Sequence, residues 1–563
     1  MTRLKDHFLI RNYEDAKSYE DAIVSGRNYR ITILSEVLIR LEYSPEGKFE
    51  NRPTEFATFR RFNPPKFFIK NEKEYLTIST NYFILEYQKE KPFYGTKLAP
   101  DINLRVNLNN TDKIWYFGAP EARNFKGTTY SLDNAEGSIS FEKGLYSTDG
   151  FASIDDSKSL ILNEDGSLIK REDQRIDTYL FLYRKDFGFC LRDYFKLTGK
   201  PPLIPRYALG NWWNKNVAYT DKQIEELIEN FKYHNIPLSV LLLNKNWHII
   251  YEGTSTGFTF NYNLIDNPKE LIDNLHSKNI HIGLNINPME GISPDEIAYS
   301  RFKQESKYEG EGIIPFNVYN PDMLNAYFDE LIKPLYDFGT DFFWIDYNNP
   351  KNISILRTLN RYHFDDFKRF YNKRPMILSR NGLIASHKYP ILYSGETIVS
   401  WKNLDLIPEF NSKSSNIGLS FWSHDIGGYK LGIEDPELYM RFVQLGVYSP
   451  ILRFSSDSSH YYKREPWLWD VKTYLIVKDY LNLRHRLIPY IYTESYKYSQ
   501  TGLPLIQPIY YRYPEIYDEL DYKNEYYFGS ELFISPITTK KNIIMNRTVQ
   551  RIFLPNGIWY DFK

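Results

Sequence analysis

The chain has 563 residues, in which 70 Lys and Arg meet 71 Asp and Glu for a formal charge of -1. That balance argues against nucleic acid as the partner, because polyanions select a strong basic excess. At 42% hydrophobic and 25% charged residues the composition excludes disorder and can bury a large core.

Further classes fall away on residue counts. A single cysteine, Cys190, rules out an intrachain disulfide and a thiolate zinc cluster. The opening MTRLKDHFLIRNYEDAKSY lacks the apolar core of a signal peptide, and no apolar run approaches the ~18 residues of a membrane helix. The expectation is a cytoplasmic chain with no membrane partner. Aromatics reach 17%, with 48 Tyr, 37 Phe and 10 Trp, which fits either codon bias or the flat faces that cover pyranose rings.

Taken in order, residues 1–198 read as a β-sandwich. The β-branched and aromatic runs Tyr29–Tyr43, Lys66–Lys70 and Tyr75–Tyr87 are broken by Asn, Pro, Gly and Asp clusters. A Pro-rich joint, Gly199 to Pro205, follows. Strand-length apolar runs then alternate with helical periods. The runs are Tyr207–Asn214, PLSVLLLN (Pro237–Asn244), HIGLNINP (His281–Pro288), DFFWID (Asp341–Asp346), PMILSR (Pro375–Arg380), ILYSGE (Ile391–Glu396), LSFWSHD (Leu419–Asp425) and ILRFS (Ile451–Ser455). Thr220-Asp221 offers a helix cap, and helical patterns cover Pro321–Phe338, Ser354–Asn372, Asp435–Tyr448 and Val471–Gln500. Eight such units predict an α/β fold, a (β/α)8 TIM barrel over 199–501, and 502–563 returns to short β runs as a C-terminal β domain.

In a barrel of this kind the active site lies at the C-terminal strand ends. The last residues of each run are therefore the candidates: Trp212 and Trp213, Asn244 and Asn246, Asn287, Asp346, Arg380, Glu396, Asp425, Arg453 and Ser455. Carboxylates with arginine and aromatic walls suit glycoside hydrolysis, where one carboxylate attacks the anomeric carbon and another protonates the leaving oxygen. Each has a plainer reading: Asp346 as a helix cap, Glu396 as a loop residue, Asp425 as a brace for a glycine turn. The histidines show neither His-x-His nor HExxH spacing, so no metal and no cofactor are expected. Gly253-Thr-Ser-Thr-Gly257 matches a serine-hydrolase pattern formally but lacks the strand–turn–helix setting.

WIDYNN (Trp344–Asn349), SGETIVSW (Ser394–Trp401), FWSHDIGG (Phe421–Gly428) and EDPELYMRFVQLGVYSPILR (Glu434–Arg453) together resemble glycoside hydrolase family 31, the α-glucosidases and α-xylosidases. The resemblance extends to LIRLEYSPEGKFENRPTEF, GLPLIQPIYYRYPE and GIWYDF, so it covers nearly the whole chain. It implies an N-terminal β-sandwich, a catalytic (β/α)8 barrel and C-terminal β domains. The chain stops at WYDFK, short of where relatives usually continue, so the last β domain is expected to be incomplete.

By that resemblance Asp346 is the nucleophile and Glu396 the acid/base, at a position where the family has Asp. Arg380 and Asp425 bind the sugar in the −1 subsite, Trp247, Trp344 and Trp422 supply apolar walls or equally belong to the barrel core, and Asn244, Arg453 and Ser455 complete the substrate-binding set. Four further positions depart from the family: Asn244 and Asn246 replace Asp, Ser455 stands two residues after Arg453 where relatives have His, and Asn348-Asn349 replaces Asn-Glu. The expectation is a retaining exo-acting α-glycosidase of α-glucosidase type acting on a small carbohydrate. The alternative is a weakened relative that binds carbohydrate as a pseudoenzyme or partners an active paralogue.

Overall fold

The computed structural model describes residues 3–95, 103–121, 123–171, 174–253, 256–370 and 373–562. Two five-stranded antiparallel sheets come first. One orders Ile23–Ser25, Tyr29–Ile33, Leu38–Tyr43, Ile176–Phe181 and Ala152–Asp155; the other runs through Phe68–Asn71, Tyr75–Ser79, Phe83–Gln88, Leu104–Leu108 and Ile114–Tyr116. Each long apolar run of this region, Tyr29–Tyr43 and Tyr75–Tyr87, is folded into a hairpin. Ile31, Ile33, Ile39 and Leu41 of the first sheet meet Leu76, Ile78, Leu85 and Val106 of the second in one buried cluster. The faces thus pack with alternating residues inward, as sandwiches require.

Eight parallel strands then close into a barrel. They are β1 (Asn211–Trp213), β2 (Val240–Leu243), β3 (His281–Ile286), β4 (Phe342–Ile345), β5 (Ile377–Arg380), β6 (Leu392–Tyr393), β7 (Trp422–Ile426) and β8 (Ile451–Phe454). Closure is made by β1 against β8, Asn211 opposite Leu452. The helices between them include α1 (Asp221–Tyr233), α2 (Pro268–Ser277), α3 (Ile353–Asp366), α4 (Trp401–Ser415) and α5 (Pro436–Val447), and α6 (Val471–Thr501) follows β8. Thr220 caps α1 through a reciprocal pair with Gln223, satisfying two of its free N–H groups.

Two details differ from the sequence pattern. The strand-like run from Tyr207 begins as a 3-10 turn, Arg206–Leu209, and only Asn211–Trp213 pairs. The helical stretch from Pro321 is interrupted by a π segment, Tyr327–Ile332. The proposed end of the Ser354–Asn372 helix, and Thr254 and Ser255 of the serine-hydrolase pattern, lie outside the described residues. Strands Ile506–Pro508, Tyr526–Phe528 and Leu532–Ile534 make a final antiparallel sheet. Beyond Ile534 the described residues form no strand, and Ile544, Ile558 and Tyr560 are exposed.

Strand alternation decides what each barrel residue faces. Phe343 packs outward on Tyr336 at 5.0 Å, while Trp344 meets Tyr393 edge-on at 5.2 Å beneath Arg453. Asp346, two residues beyond Trp344, returns to the same interior side at the rim. On β7, Trp422 packs outward on Phe410 of α4, whereas Ser423 and Asp425 both accept from Arg453 inside the barrel.

Candidate active site

At the C-terminal mouth of the barrel a cavity of about 380 Å³ is lined by Asn285, Asp346, Tyr347, Arg380 and Glu396, with Lys245, Asn287, Met289, Glu290, Asn348 and Asn349 around it. Its centre is Arg380, the last residue of β5. One guanidinium nitrogen, Nη1, lies 3.1 Å from Asp346 Oδ1 and 3.6 Å from Glu396 Oε1. Those distances cap the separation of the two oxygens at about 6.7 Å, compatible with the ~5–5.5 Å of a retaining carboxyl pair. Nη2 donates to Asp133 Oδ1 at 2.9 Å. Burial works against the Arg380 charge, but Asp346, then Tyr393, Asp133 and Glu396, outweigh it and hold the guanidinium above its ordinary range.

Each carboxylate has a second anchor. Asp346 caps no helix; its Oδ2 accepts from Asn285 Nδ2 at 3.1 Å. Glu396 Oε2 accepts from Lys430 Nζ at 2.6 Å. This leaves Oε1 as the oxygen turned toward Arg380 and Asp346. The loop carrying Glu396 is fixed from outside the barrel: Leu132 donates to Ser394 O at 2.7 Å, Asn134 to Glu396 O at 2.8 Å, and Glu396 N to Asp133 Oδ1 at 2.7 Å. Gly395 makes this approach possible. Its φ is +115°, and a Cβ there would lie 2.6 Å from Ser131 Oγ and 2.8 Å from Asp133 N. Asp133 Oδ2 also accepts from Asn348 Nδ2 at 3.0 Å. Burial raises the Asp133 carboxyl, yet Arg380 and the Glu396 N–H prevail and hold it below the usual range.

The barrel model of glycosyl hydrolases family 31 matches residues 201–494, and the C-terminal domain model of the same family matches 502–563. The chain belongs to glycosyl hydrolase family 31. An α-xylosidase of Saccharolobus solfataricus is 25% identical over 476 residues, which cover 77% of this chain and 62% of the relative. The α-glucosidase 2 of Bacillus thermoamyloliquefaciens is 26% identical over 430 residues, 69% of this chain and 53% of the relative. The chain therefore spans less than two thirds of either relative's length. A family 31 dextranase of Flavobacterium johnsoniae, solved with glucose, superposes with a TM-score of 0.73 at 19% identity over 96% of this chain and 76% of its own.

Within this family 31 barrel, four of the residues read from sequence, Asn287, Asp346, Arg380 and Glu396, line the cavity. The others sit around or beneath it. Asp425 and Arg453 form a wholly buried pair at 2.7 Å, with Tyr393 donating to the second Asp425 oxygen at 2.8 Å. Burial, opposed by Arg453, pushes the Asp425 carboxyl up. Ser455 donates to Asn214 Oδ1 at 3.0 Å, and Arg453 Nη1 shares that acceptor at 3.1 Å. Asn244 is occupied in capping the Lys245–Trp247 turn and lies 3.4 Å from Asn285 Nδ2. Trp247 donates to Asn285 O at 2.9 Å and packs on Phe260, so it braces β3 from behind. Trp344 is one layer below the cavity floor. Trp422 is not a cavity wall at all, because its parity on β7 sends it into the helix layer.

Three contributors escaped the sequence reading. Asp133 lies more than 200 residues upstream in a turn with no local signature. Lys430 follows the glycine pair of FWSHDIGG and looks like an ordinary surface lysine. Asn285 was legible: it shares the parity of Asn287 within a run already read as a strand.

Proposed function

We propose that this chain is a retaining α-glycosidase, α-glucosidase-like and exo-acting, on a small α-linked glycoside. The observation that carries the proposal is the sharing of one Arg380 nitrogen by Asp346 and Glu396 in an otherwise open, polar cavity. In this reading Asp346 attacks C1 from one face while Glu396 protonates the departing glycosidic oxygen through Oε1. The Asp346 ester then yields to water, from which Glu396 takes the proton, and the α configuration is retained. Arg380 orients the nucleophile and the acid together, so their mutual geometry is set before substrate arrives. The α-xylosidase and α-glucosidase names of the relatives support the class of bond, and the sugar itself is the finer part of the proposal.

The test is a panel of aryl α-glucosides and α-xylosides, with wild type against Asp346→Ala and the product anomer followed by NMR. Turnover with an α product, lost in Asp346→Ala, is expected. Equal rates in both proteins refute Asp346 as the nucleophile.

A second reading, a carbohydrate binder without turnover, draws on one observation. Lys430 holds Glu396 in an ion pair, while Asn244 and Ser455, at departing positions, spend their side chains on internal contacts. Calorimetric sugar binding with no turnover in wild type or in Glu396→Asp favours that reading; turnover gained by Glu396→Asp favours an enzyme tuned away from the common geometry.

A further inference from the structure

At the opposite, N-terminal mouth of the barrel, three potential donors converge from separate elements. His276 ends the last turn of α2, His281 opens β3, and Asp341 precedes β4. Because β3 and β4 are parallel neighbours with Gly283 opposite Phe342, the residues before those positions stand side by side. The turn back from α2 brings His276 alongside. His276 Nε2 lies 2.8 Å from Asp341 Oδ2, His281 Nδ1 lies 3.0 Å from Asp341 Oδ1, and all three donor atoms fall within 4.8 Å of one another.

We propose that His276, His281 and Asp341 form a binding site for a divalent transition-metal ion of the Zn²⁺ class. Two imidazoles and one carboxylate are a borderline donor set that suits such an ion, with a fourth position left for water. Ligands at ~2.0–2.2 Å around one ion stand roughly 3.3–3.6 Å apart, so a small opening of this cluster admits it.

Two observations point beyond a plain ion pair. His281 Nδ1 is closed off from solvent, and its 3.0 Å approach to Asp341 Oδ1 is poorly aligned for a hydrogen bond. The donors are also already braced. Asp341 Oδ2 accepts from Ile282 N at 2.9 Å, and Tyr207 stacks on the His281 ring at 3.7 Å and 14°. Such outer contacts are what orient ligands for a metal.

Both imidazoles remain about a third exposed, and His281 also borders a groove of about 730 Å³ through which an ion enters. Nearby Lys232 and Lys278 both face Glu229, which offsets their charge. The site lies at the far end of the barrel from Asp346, so its role is to tie α2, β3 and β4 together.

The experiment takes the full chain, stripped with a chelator and dialysed, and titrates it with Zn²⁺ alone by calorimetry. One equivalent should bind. His276→Ala and His281→Ala should each weaken that binding by about 100-fold or more. Zn²⁺ at 100 times its dissociation constant should raise the melting temperature of wild type by about 2 °C and leave His276→Ala unmoved. Co²⁺ should give the visible absorption of a four-coordinate site, while turnover of any active substrate stays unchanged in His276→Ala, because the half-buried His276 lies at the opposite end of the barrel from Asp346. No saturable uptake by wild type, or uptake by either single-histidine variant as tight as that of wild type, overturns the proposal and leaves an ordinary His–Asp–His ion pair.

Discussion

Replacing Asp133 by Ala tests whether the turn from the sheet region positions the acid at the barrel rim. The change removes three accepted hydrogen bonds: from Arg380 Nη2 at 2.9 Å, from Glu396 N at 2.7 Å and from Asn348 Nδ2 at 3.0 Å. Bonds involving a charged group contribute roughly 1.5–3 kcal/mol each. The Asp133 side chain is only 20% exposed, so water replaces part of that sum, and the net loss of stability comes to about 2–4 kcal/mol.

The kinetic effect runs through Glu396. Freed of the anion that holds its backbone N–H, the loop shifts by a fraction of an ångström to 1 Å, and displacement on that scale costs about 10–100-fold in kcat. Asp133→Asn keeps one acceptor oxygen and should lose about half as much on the energy scale. Because the folded carboxyl titrates below its ordinary value, its contribution is present above about pH 4 and is lost as the pH falls through the folded pKa. Urea unfolding followed by tryptophan fluorescence and steady-state kinetics on an aryl α-glycoside, both at pH 6.5, read the two effects. Unchanged stability together with unchanged kcat in Asp133→Ala would refute the positioning argument.

Four further outcomes are expected. Asp346→Ala should lose at least about 10⁴-fold in kcat while sugar binding by calorimetry persists, as removal of a nucleophile does. Lys430→Met should lower kcat by about fivefold with little change in KM, because it releases Glu396 Oε2 from a partly exposed ion pair of roughly 1 kcal/mol. Trp422→Ala should destabilise the fold by about 3–5 kcal/mol in urea, since its indole is 1% exposed, and leave kcat/KM of the folded protein within about twofold. His363, His387 and His424 are driven down to about 3 by burial, so all three fold neutral. The unfolded chain takes up their protons below about pH 6.5, and stability should fall with acid by about 1.4 kcal/mol per pH unit for each, which urea titrations between pH 4.5 and 7 measure directly.

The barrel was legible because its strands lie in short, largely apolar runs that give way to polar residues: FFWI to Asp346, and MILS to Arg380. Reading the rim off those endings found the two carboxylates and the guanidinium they share. For Trp422 the core alternative holds over the wall. Alternation decides it: with Asp425 facing in, Ser423 faces in and Trp422 faces the helices. Asp133 had no such handle. Its effect depends on a tertiary approach that only the missing side chain of Gly395 permits, and SLDNAEG reads as any other polar turn. The His276, His281 and Asp341 cluster was hidden for a related reason, because its third member is brought in by strand pairing and not by spacing.

The contact between Ser131–Asn134 and the Ser394–Glu396 loop has a consequence for how this molecule can be taken apart. A barrel excised at the Pro-rich joint would keep Asp346, Glu396 and Arg380 yet lose Asp133, the keystone that bonds the last two. Transplanting the upstream turn into another host would be equally fruitless without a glycine waiting at the receiving loop. The two halves travel as one heritable block, and drift in either is felt in the other.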